Sequence, residues 1–411
     1  MAASRRALGS CRVATLALSA AVSLAILAGI ATAATNTPSG ARKDDGFQTA
    51  ATSAILIDAD GDSVLFEKNA DELVAPASLA KLMTSEVVFN EIKEGRLKLD
   101  DEFTISEYAW RHGGAPSRTS SMFAPIKSRV RVQDLLYSSI IQSGNDACIA
   151  LAEGIAGNER AFADKMTRRA RELGLTKSVF TNSTGLPDPE LKVTVRELAQ
   201  LARHIITTYP DFYKIYNERE FTWNKIRQTN RNPLLAMSLG ADGLKTGYTE
   251  DAGYGIVGSA VQSGFRQIVV AVGFKSDKER AEEARRLLEW GFNSFESRVL
   301  FAQGQVVADA KVYGGEKGYV PLIAPRPVRI MVQKNGSEKI GARVTYQGPV
   351  AIPVTQGQEI GTLRIMRNDT VALEMPLQAS EGVTQGSLTN RTWDAASEAV
   401  INLVRAGLKK L

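Results

Sequence analysis

The sequence predicts an α+β protein: helices packed on an antiparallel sheet, then a small all-β domain, then a C-terminal amphipathic helix. Three observations carry that expectation. Between residues 78 and 295, apolar residues recur at helical spacing in several segments, and strand-like runs with Gly-containing turns stand before and after them. After Ser297 the helical period gives way to short alternating segments separated by Gly or Pro. From Arg391 the helical period returns.

In order along the chain, Arg5, Arg6 and Arg12 flank the start of an apolar run over 13–30, and Ala31-Thr32-Ala33 is a small-x-small cleavage site. This is the layout of a secretory signal peptide, 1–33. Residues 34–50 read as a flexible lead-in. Runs at 54–57 and 63–66 flank Asp58-Ala59-Asp60-Gly61-Asp62 and predict a β-hairpin. A helix follows over 78–94, with Leu79, Leu82, Met83, Val87 and Val88 on its inward face. Residues 101–131 are mixed, with loops at Gly113-Gly114 and Ser120-Ser121. Helices are expected at 132–142, 146–155, 159–173 and 197–207, with a loop at 181–189. Antiparallel strands are expected at 254–261 and 267–274, and a strong amphipathic helix at 277–295. Together these form one domain, 51–297. The all-β domain, 298–385, has strands at 328–332, 342–346, 350–354, 361–366 and 371–375.

In the terminal segment 391–411, Trp393, Val400, Leu403, Val404, Leu408 and Leu411 form one stripe. It is too polar to span a bilayer. Trp393 at one end and Arg405, Lys409 and Lys410 near the other suit a helix lying on an anionic membrane surface.

Composition excludes several function classes. The 50 Lys+Arg outnumber the 45 Asp+Glu, but three of the arginines and none of the acids lie in the leader, so the rest is near balance. Nothing calls for a nucleic-acid partner. His112 and His204 are the two histidines, and no His-x-x-x-His or Cys-x-x-Cys spacing occurs. No metal and no cofactor is expected. Cys11 lies in the leader, so Cys148 has no disulfide partner; its apolar setting, Ala147-Cys148-Ile149-Ala150-Leu151, reads as helix core. Neither histidine has the context of a Ser-His-Asp triad, so a serine nucleophile here would take lysine as its base.

Such a pair is present. Ser78 and Lys81, in Pro76-Ala-Ser-Leu-Ala-Lys-Leu-Met-Thr84, stand three apart at a helix start and therefore share a face. The helix N-terminus adds backbone N–H groups that favour a developing oxyanion. A Ser-x-x-Lys pair alone is expected about once by chance in a chain of this length. Here it is followed by the chain's one Ser-x-Asn, Ser143-Gly144-Asn145, and its one Lys-Thr-Gly, Lys245-Thr246-Gly247. Each sits at a junction between elements, where side chains can converge on a cleft. The set S-x-x-K, S-D-N and K-T-G marks class A β-lactamases and penicillin-binding proteins.

With these three motifs, and with Gln142-Ser-Gly-Asn-Asp-Ala147, Ile226-Arg-Gln-Thr-Asn-Arg-Asn232 and Asp242-Gly-Leu-Lys-Thr-Gly-Tyr-Thr249, the chain resembles the low-molecular-mass penicillin-binding proteins, the serine-type D-alanyl-D-alanine carboxypeptidases. The resemblance implies a penicillin-binding-protein/β-lactamase-like transpeptidase domain. It implies catalytic roles for Ser78, Lys81, Ser143 and Asn145, and substrate binding by Lys245, Thr246, Gly247, Tyr248 and Arg231. Burial beside a second cation, Lys245, would leave Lys81 neutral and able to take the Ser78 proton. The N–H groups of Ser78 and Tyr248 would form the oxyanion hole, Ser143 would relay the proton, Asn145 would hold Lys81 and the substrate amide, and Thr246 and Arg231 would bind a terminal carboxylate. The implied substrate is a peptidoglycan pentapeptide, the implied inhibitors are β-lactams, and the implied location is the periplasmic face of the cytoplasmic membrane. Two features depart from the family pattern: Tyr248 where many relatives have histidine, and the loop over 112–121.

The alternatives are a D,D-endopeptidase or transpeptidase, which share the acylation step, a class A β-lactamase, and a cell-wall binding protein with a dead site. The β-lactamase reading lacks its Glu-x-x-Leu-Asn run, which occurs nowhere between Asn145 and Lys245.

Overall fold

A computed structural model of the chain describes residues 47–387, apart from 62, 335, 337 and 369. The expected signal peptide, residues 34–46 of the lead-in, and the expected membrane-surface helix at 391–411 lie outside the described residues.

In chain order, β1 (Ser53–Asp58) and β2 (Val64–Lys68) form the expected hairpin. A 3-10 turn, Ala77–Ala80, leads into α1 (Lys81–Lys93). Short strands β3 (Glu102–Thr104) and β4 (Arg129–Arg131) pair on either side of α2 (Glu107–Gly113). Then come α3 (Val132–Tyr137), α4 (Asn145–Ala156), α5 (Glu159–Glu172), α6 (Val195–Thr208) and α7 (Pro210–Tyr213). A second hairpin, β5 (Glu220–Trp223) and β6 (Ile226–Thr229), precedes β7 (Ala241–Thr249), β8 (Gly253–Gln262), β9 (Phe265–Phe274) and α8 (Asp277–Ser294). Side chains at the N-caps fix four of these helices: Ser106 accepts from Ala109 N, Asn158 from Ala161 N, Thr194 from Glu197 N and Ser276 from Glu279 N.

The central sheet has the order β2-β1-β9-β8-β7, antiparallel throughout. Strand alternation gives it two buried faces. In β1, Ile55 and Ile57 join the core made with α1 and α3 to α6, while Ala54 and Leu56 join the core made with α8. In β9, Ile268, Val270 and Val272 face the first core, and Val269, Ala271 and Phe274 the second. The result is helices on both sides of the sheet, with β7 as one edge.

One expected helix, 132–142, is regular only to Tyr137. Ser138–Gln142 widens into a π turn that ends at Ser143, whose φ of 68° is left-handed. Such π turns recur at functional sites because they re-aim the residues that follow.

Beyond α8 the chain is all β: β10 (Phe295–Phe301), β11 (Val306–Tyr313), β12 (Tyr319–Ile323), β13 (Val328–Gln333), β14 (Ile340–Tyr346), β15 (Val350–Ala351), β16 (Glu359–Arg367) and β17 (Thr370–Ala379). β10 pairs with β13, and the others form one sheet in the order β14-β16-β17-β12-β11-β15. Their core is apolar, built on Ala310, Val312, Leu322, Leu363, Ile365 and Leu377. Three of these strands, β10, β11 and β12, lie where the sequence predicts none. The middle of β11, Ala308-Asp309-Ala310-Lys311, and Pro321 in β12 are residues of low strand propensity. Among the described residues, no helix is long and apolar enough to cross a membrane.

Candidate active site

Ser78 is the second residue of the 3-10 turn, and Lys81 is the first of α1. The one-turn spacing brings Lys81 Nζ to 3.0 Å from Ser78 Oγ. Lys81 is 1% exposed, whereas Ser78 is half-buried at the surface of the cleft. Lys81 Nζ also donates to the carbonyl of Thr184, at 2.5 Å. Ala77, just before Ser78, has a φ of 48°, a left-handed conformation that costs about 1–3 kcal/mol in a non-glycine residue.

Two glycines let other segments close on this turn. Gly185 has a φ of 80°, and a Cβ there would stand 1.9 Å from the Ala77 carbonyl oxygen. At Gly247 on β7, a Cβ would stand 3.1 Å from the Ser78 backbone nitrogen. The edge strand therefore runs tightly alongside Ser78 and carries Lys245 and Thr246 inward, at 2% and 6% exposure. Tyr248 points outward at the rim, half-exposed, with its ring 4.2 Å from that of Tyr254.

The opposite wall is the start of α4 and the loop after α2. Asn145 Nδ2 donates to Thr119 Oγ1 (2.9 Å), and Asn145 N donates to the Ser120 carbonyl (2.7 Å). Arg231 Nη1 donates to Ser120 Oγ (2.6 Å). The buried Asp146 carboxylate pins this loop, accepting from Ser121 Oγ and from the backbone of Met122 and Ala124. Ser143 Oγ and Asn145 Oδ1 are buried without a hydrogen-bond partner in the protein. Unpartnered polar atoms of this kind cost about 1–3 kcal/mol each, so the site is built to meet polar groups from elsewhere.

The electrostatics follow from burial. Burial lowers the Lys81 ammonium to about 8; Arg231 pushes the same way, while Cys148, Glu159 and Asp146 oppose it. Burial also pushes Lys245 well below its ordinary value, helped by the charges of Lys81 and Arg231. Two buried amines in one cleft oppose each other's charge. A neutral amine 3.0 Å from a hydroxyl is a general base, and the hydroxyl it deprotonates is a nucleophile.

The structure thus brings Ser78 and Lys81 into direct contact, places Lys245 and Gly247 beside them, and sets Asn145 and Arg231 on one loop. Asn145 Nδ2 is held by Thr119, not by Lys81. The depression of Lys81 is mainly burial, with Arg231 the contributing cation. Cys148 is fully buried with Sγ 3.0 Å from Ser139 Oγ; burial pushes its thiol up, while the charges of Lys81 and Lys245 pull the other way. Three contributors escape sequence reasoning: the Thr184 carbonyl, Thr119 and Ser120. A backbone carbonyl leaves no mark on residue type, and polar loop residues look like any solvated turn; Ser120-Ser121 gives only a loop signal.

Comparison with known proteins adds the family context. Residues 36–276 match the family model described as D-alanyl-D-alanine carboxypeptidase, and residues 295–385 match that of the penicillin-binding protein 5 C-terminal domain. The chain is 40% identical over 343 residues to the D-alanyl-D-alanine carboxypeptidase DacC of Escherichia coli K12, covering 83% of this chain and 86% of that protein. The crystal structure of penicillin-binding protein 5 from Haemophilus influenzae is similar at a TM-score of 0.74 and 36% identity, over 82% of this chain and 98% of that one. Penicillin-binding protein D2 from Listeria monocytogenes, solved in an ampicillin-bound form, is similar at a TM-score of 0.54 and 28% identity, over 59% of this chain and 98% of that one.

Proposed function

Because the chain belongs to the D-alanyl-D-alanine carboxypeptidase family, and is a serine-type enzyme of that activity, we propose that Ser78 is its acylated nucleophile and Lys81 its base. The observation that carries this is the 3.0 Å contact between Ser78 Oγ and the buried, depressed Lys81 amine. Lys81 takes the Ser78 proton as Oγ attacks the carbonyl of the terminal D-Ala-D-Ala bond. The oxyanion sits between the N–H groups of Ser78 and Tyr248. The proton passes through Ser143 to the leaving amine, D-alanine departs, and water hydrolyses the ester to restore Ser78. Asn145 Oδ1 and Ser143 Oγ are both buried without protein partners, which leaves them open to these roles. Thr246 and Arg231, with Lys245 behind them, bind the free carboxylate, which confines the enzyme to chain ends; Gly247 admits the substrate backbone and Tyr248 lines the rim.

The substrate is a peptidoglycan pentapeptide, and loss of its last residue limits cross-linking. β-Lactams acylate the same serine, in keeping with the ampicillin-bound relative. The division of labour we propose is a peptidase domain over 51–297 and an all-β domain over 298–385. Export by the leader and attachment through 391–411 would hold the enzyme on the periplasmic face of the cytoplasmic membrane.

The test is a muramyl pentapeptide assay. The enzyme releases free D-alanine, and Ser78→Ala, which alters a half-exposed side chain, stays folded and loses roughly 10⁴-fold or more of that activity. Cleavage confined to cross-linked dimers would make the enzyme an endopeptidase instead.

A further inference from the structure

Glu159 opens α5, where an acidic residue is ordinary helix chemistry, yet its carboxylate is spent on two walls of the cleft. Oε1 accepts from Ser183 N (3.1 Å) and from Ser183 Oγ (2.6 Å). Oε2 accepts from the Tyr108 hydroxyl of α2 (3.1 Å). Ser183 immediately precedes Thr184, whose carbonyl receives the Lys81 ammonium. The Ser183 carbonyl itself accepts from Thr84 Oγ1 (2.7 Å), three residues on from Lys81 in α1. Every polar group of Ser183 is therefore engaged: two on Glu159 and one on the helix that carries the base. The loop that presents the Thr184 carbonyl is bolted from both sides, and Glu159 is the outer bolt. It also joins that loop to α2, which runs directly into the segment bearing Thr119 and Ser120.

We propose that Glu159 is a positioning residue for acylation: it fixes the Ser183–Thr184 backbone so that the Thr184 carbonyl holds Lys81 Nζ against Ser78 Oγ, and it clips this loop to the opposing α2 wall. The inference rests on the Ser78 and Lys81 reading of the site. Nothing in the three motifs points to Glu159, since it neither touches the reacting atoms nor falls at a recognisable spacing from them.

Glu159 has a second, electrostatic consequence. Lys81 is surrounded by Cys148, Arg231, Glu159, Asp146 and Lys245, and of these Glu159 is among the groups that favour its charged form. Glu159 itself faces the Tyr108 phenol and the Glu153 carboxylate. Removing its charge but not its shape makes Lys81 easier to deprotonate.

The experiment measures the rate of penicillin acylation of Ser78 by mass spectrometry across pH, for the full enzyme and for Glu159→Gln and Glu159→Ala. Gln retains an oxygen for Ser183 and a group for Tyr108. The Gln variant keeps the wild-type plateau rate but moves the acidic limb of the profile to lower pH. The Ala variant, which releases the loop, loses about tenfold or more of the plateau rate. An Ala plateau equal to wild type, or a Gln variant as slow as Ala, overturns the proposal. Should Ala not fold, Ser183→Ala, which removes the hydroxyl that Glu159 holds, decides: a lowered plateau rate is expected, and a plateau equal to wild type overturns the proposal. Failure of the underlying reading looks different: the wild-type adduct would lie on a residue other than Ser78.

Discussion

The peptidase domain and the all-β domain bury charge in opposite ways. In the β domain, buried Arg367 is answered from within: its guanidinium donates to the Met331 carbonyl and lies 3.7 Å from Glu338, over a core that is otherwise aliphatic. In the peptidase cleft, Lys81 and Lys245 are both buried, and Ser143 Oγ and Asn145 Oδ1 are left unpaired. The first arrangement serves folding. The second works against folding and makes sense only as preorganisation for a substrate, because burying an amine without a counter-charge is what lowers its proton affinity. Unpaired polar atoms alone do not mark the site, since the side-chain amides of Gln228 and Gln267 are also buried without partners; what sets the cleft apart is that such atoms stand with two buried amines.

The comparison can be broken at either end. The largest effect should come from Lys81→Met. Deacylation and acylation assays should show a loss of about 10²–10⁴-fold in D-alanine release, the usual contribution of a general base. Thermal melting of the same variant should show stability unchanged or raised, because an apolar side chain replaces a buried amine. A variant that melts early and still turns over would reverse the assignment. The smaller effect is Leu363→Ala in the β domain, at a fully buried position. Denaturant unfolding should register about 2–5 kcal/mol of lost stability, while kcat/KM of the folded enzyme is unchanged. A matching fall in kcat/KM would mean that the β domain shapes the cleft.

How much of this was legible in the sequence differs between the two regions for a physical reason. In the peptidase domain, chemistry constrains residue type: Ser78, Lys81, Ser143, Asn145 and Lys245 sit in three motifs, and long periodic helices such as α5 and α8 announce themselves. The π turn at Ser138–Gln142 was not legible, since its side chains fit a regular helix equally well. The hairpin of β5 and β6 was also missed: its four-residue strands are too short for alternation to stand out. In the β domain no chemistry holds the sequence, and Pro321 and the charges of β11 masked two strands whose places are set by neighbours in the sheet. The site's least legible parts are those made by backbone, above all the Thr184 carbonyl that receives Lys81.

The central claim is that Lys81 is a base because it is buried. Its proton affinity, lowered to about 8, fixes the sign of the pH dependence: below that value the amine is protonated and cannot accept from Ser78, and above it the lone pair is free. The most direct measurement is the rate of penicillin adduct formation on the intact enzyme from about pH 6 to about pH 9, with the modified residue located by peptide mass spectrometry. A single adduct is expected, on Ser78, forming faster as pH rises through about 8. A rate flat across that range, or an adduct on any other residue, would contradict it.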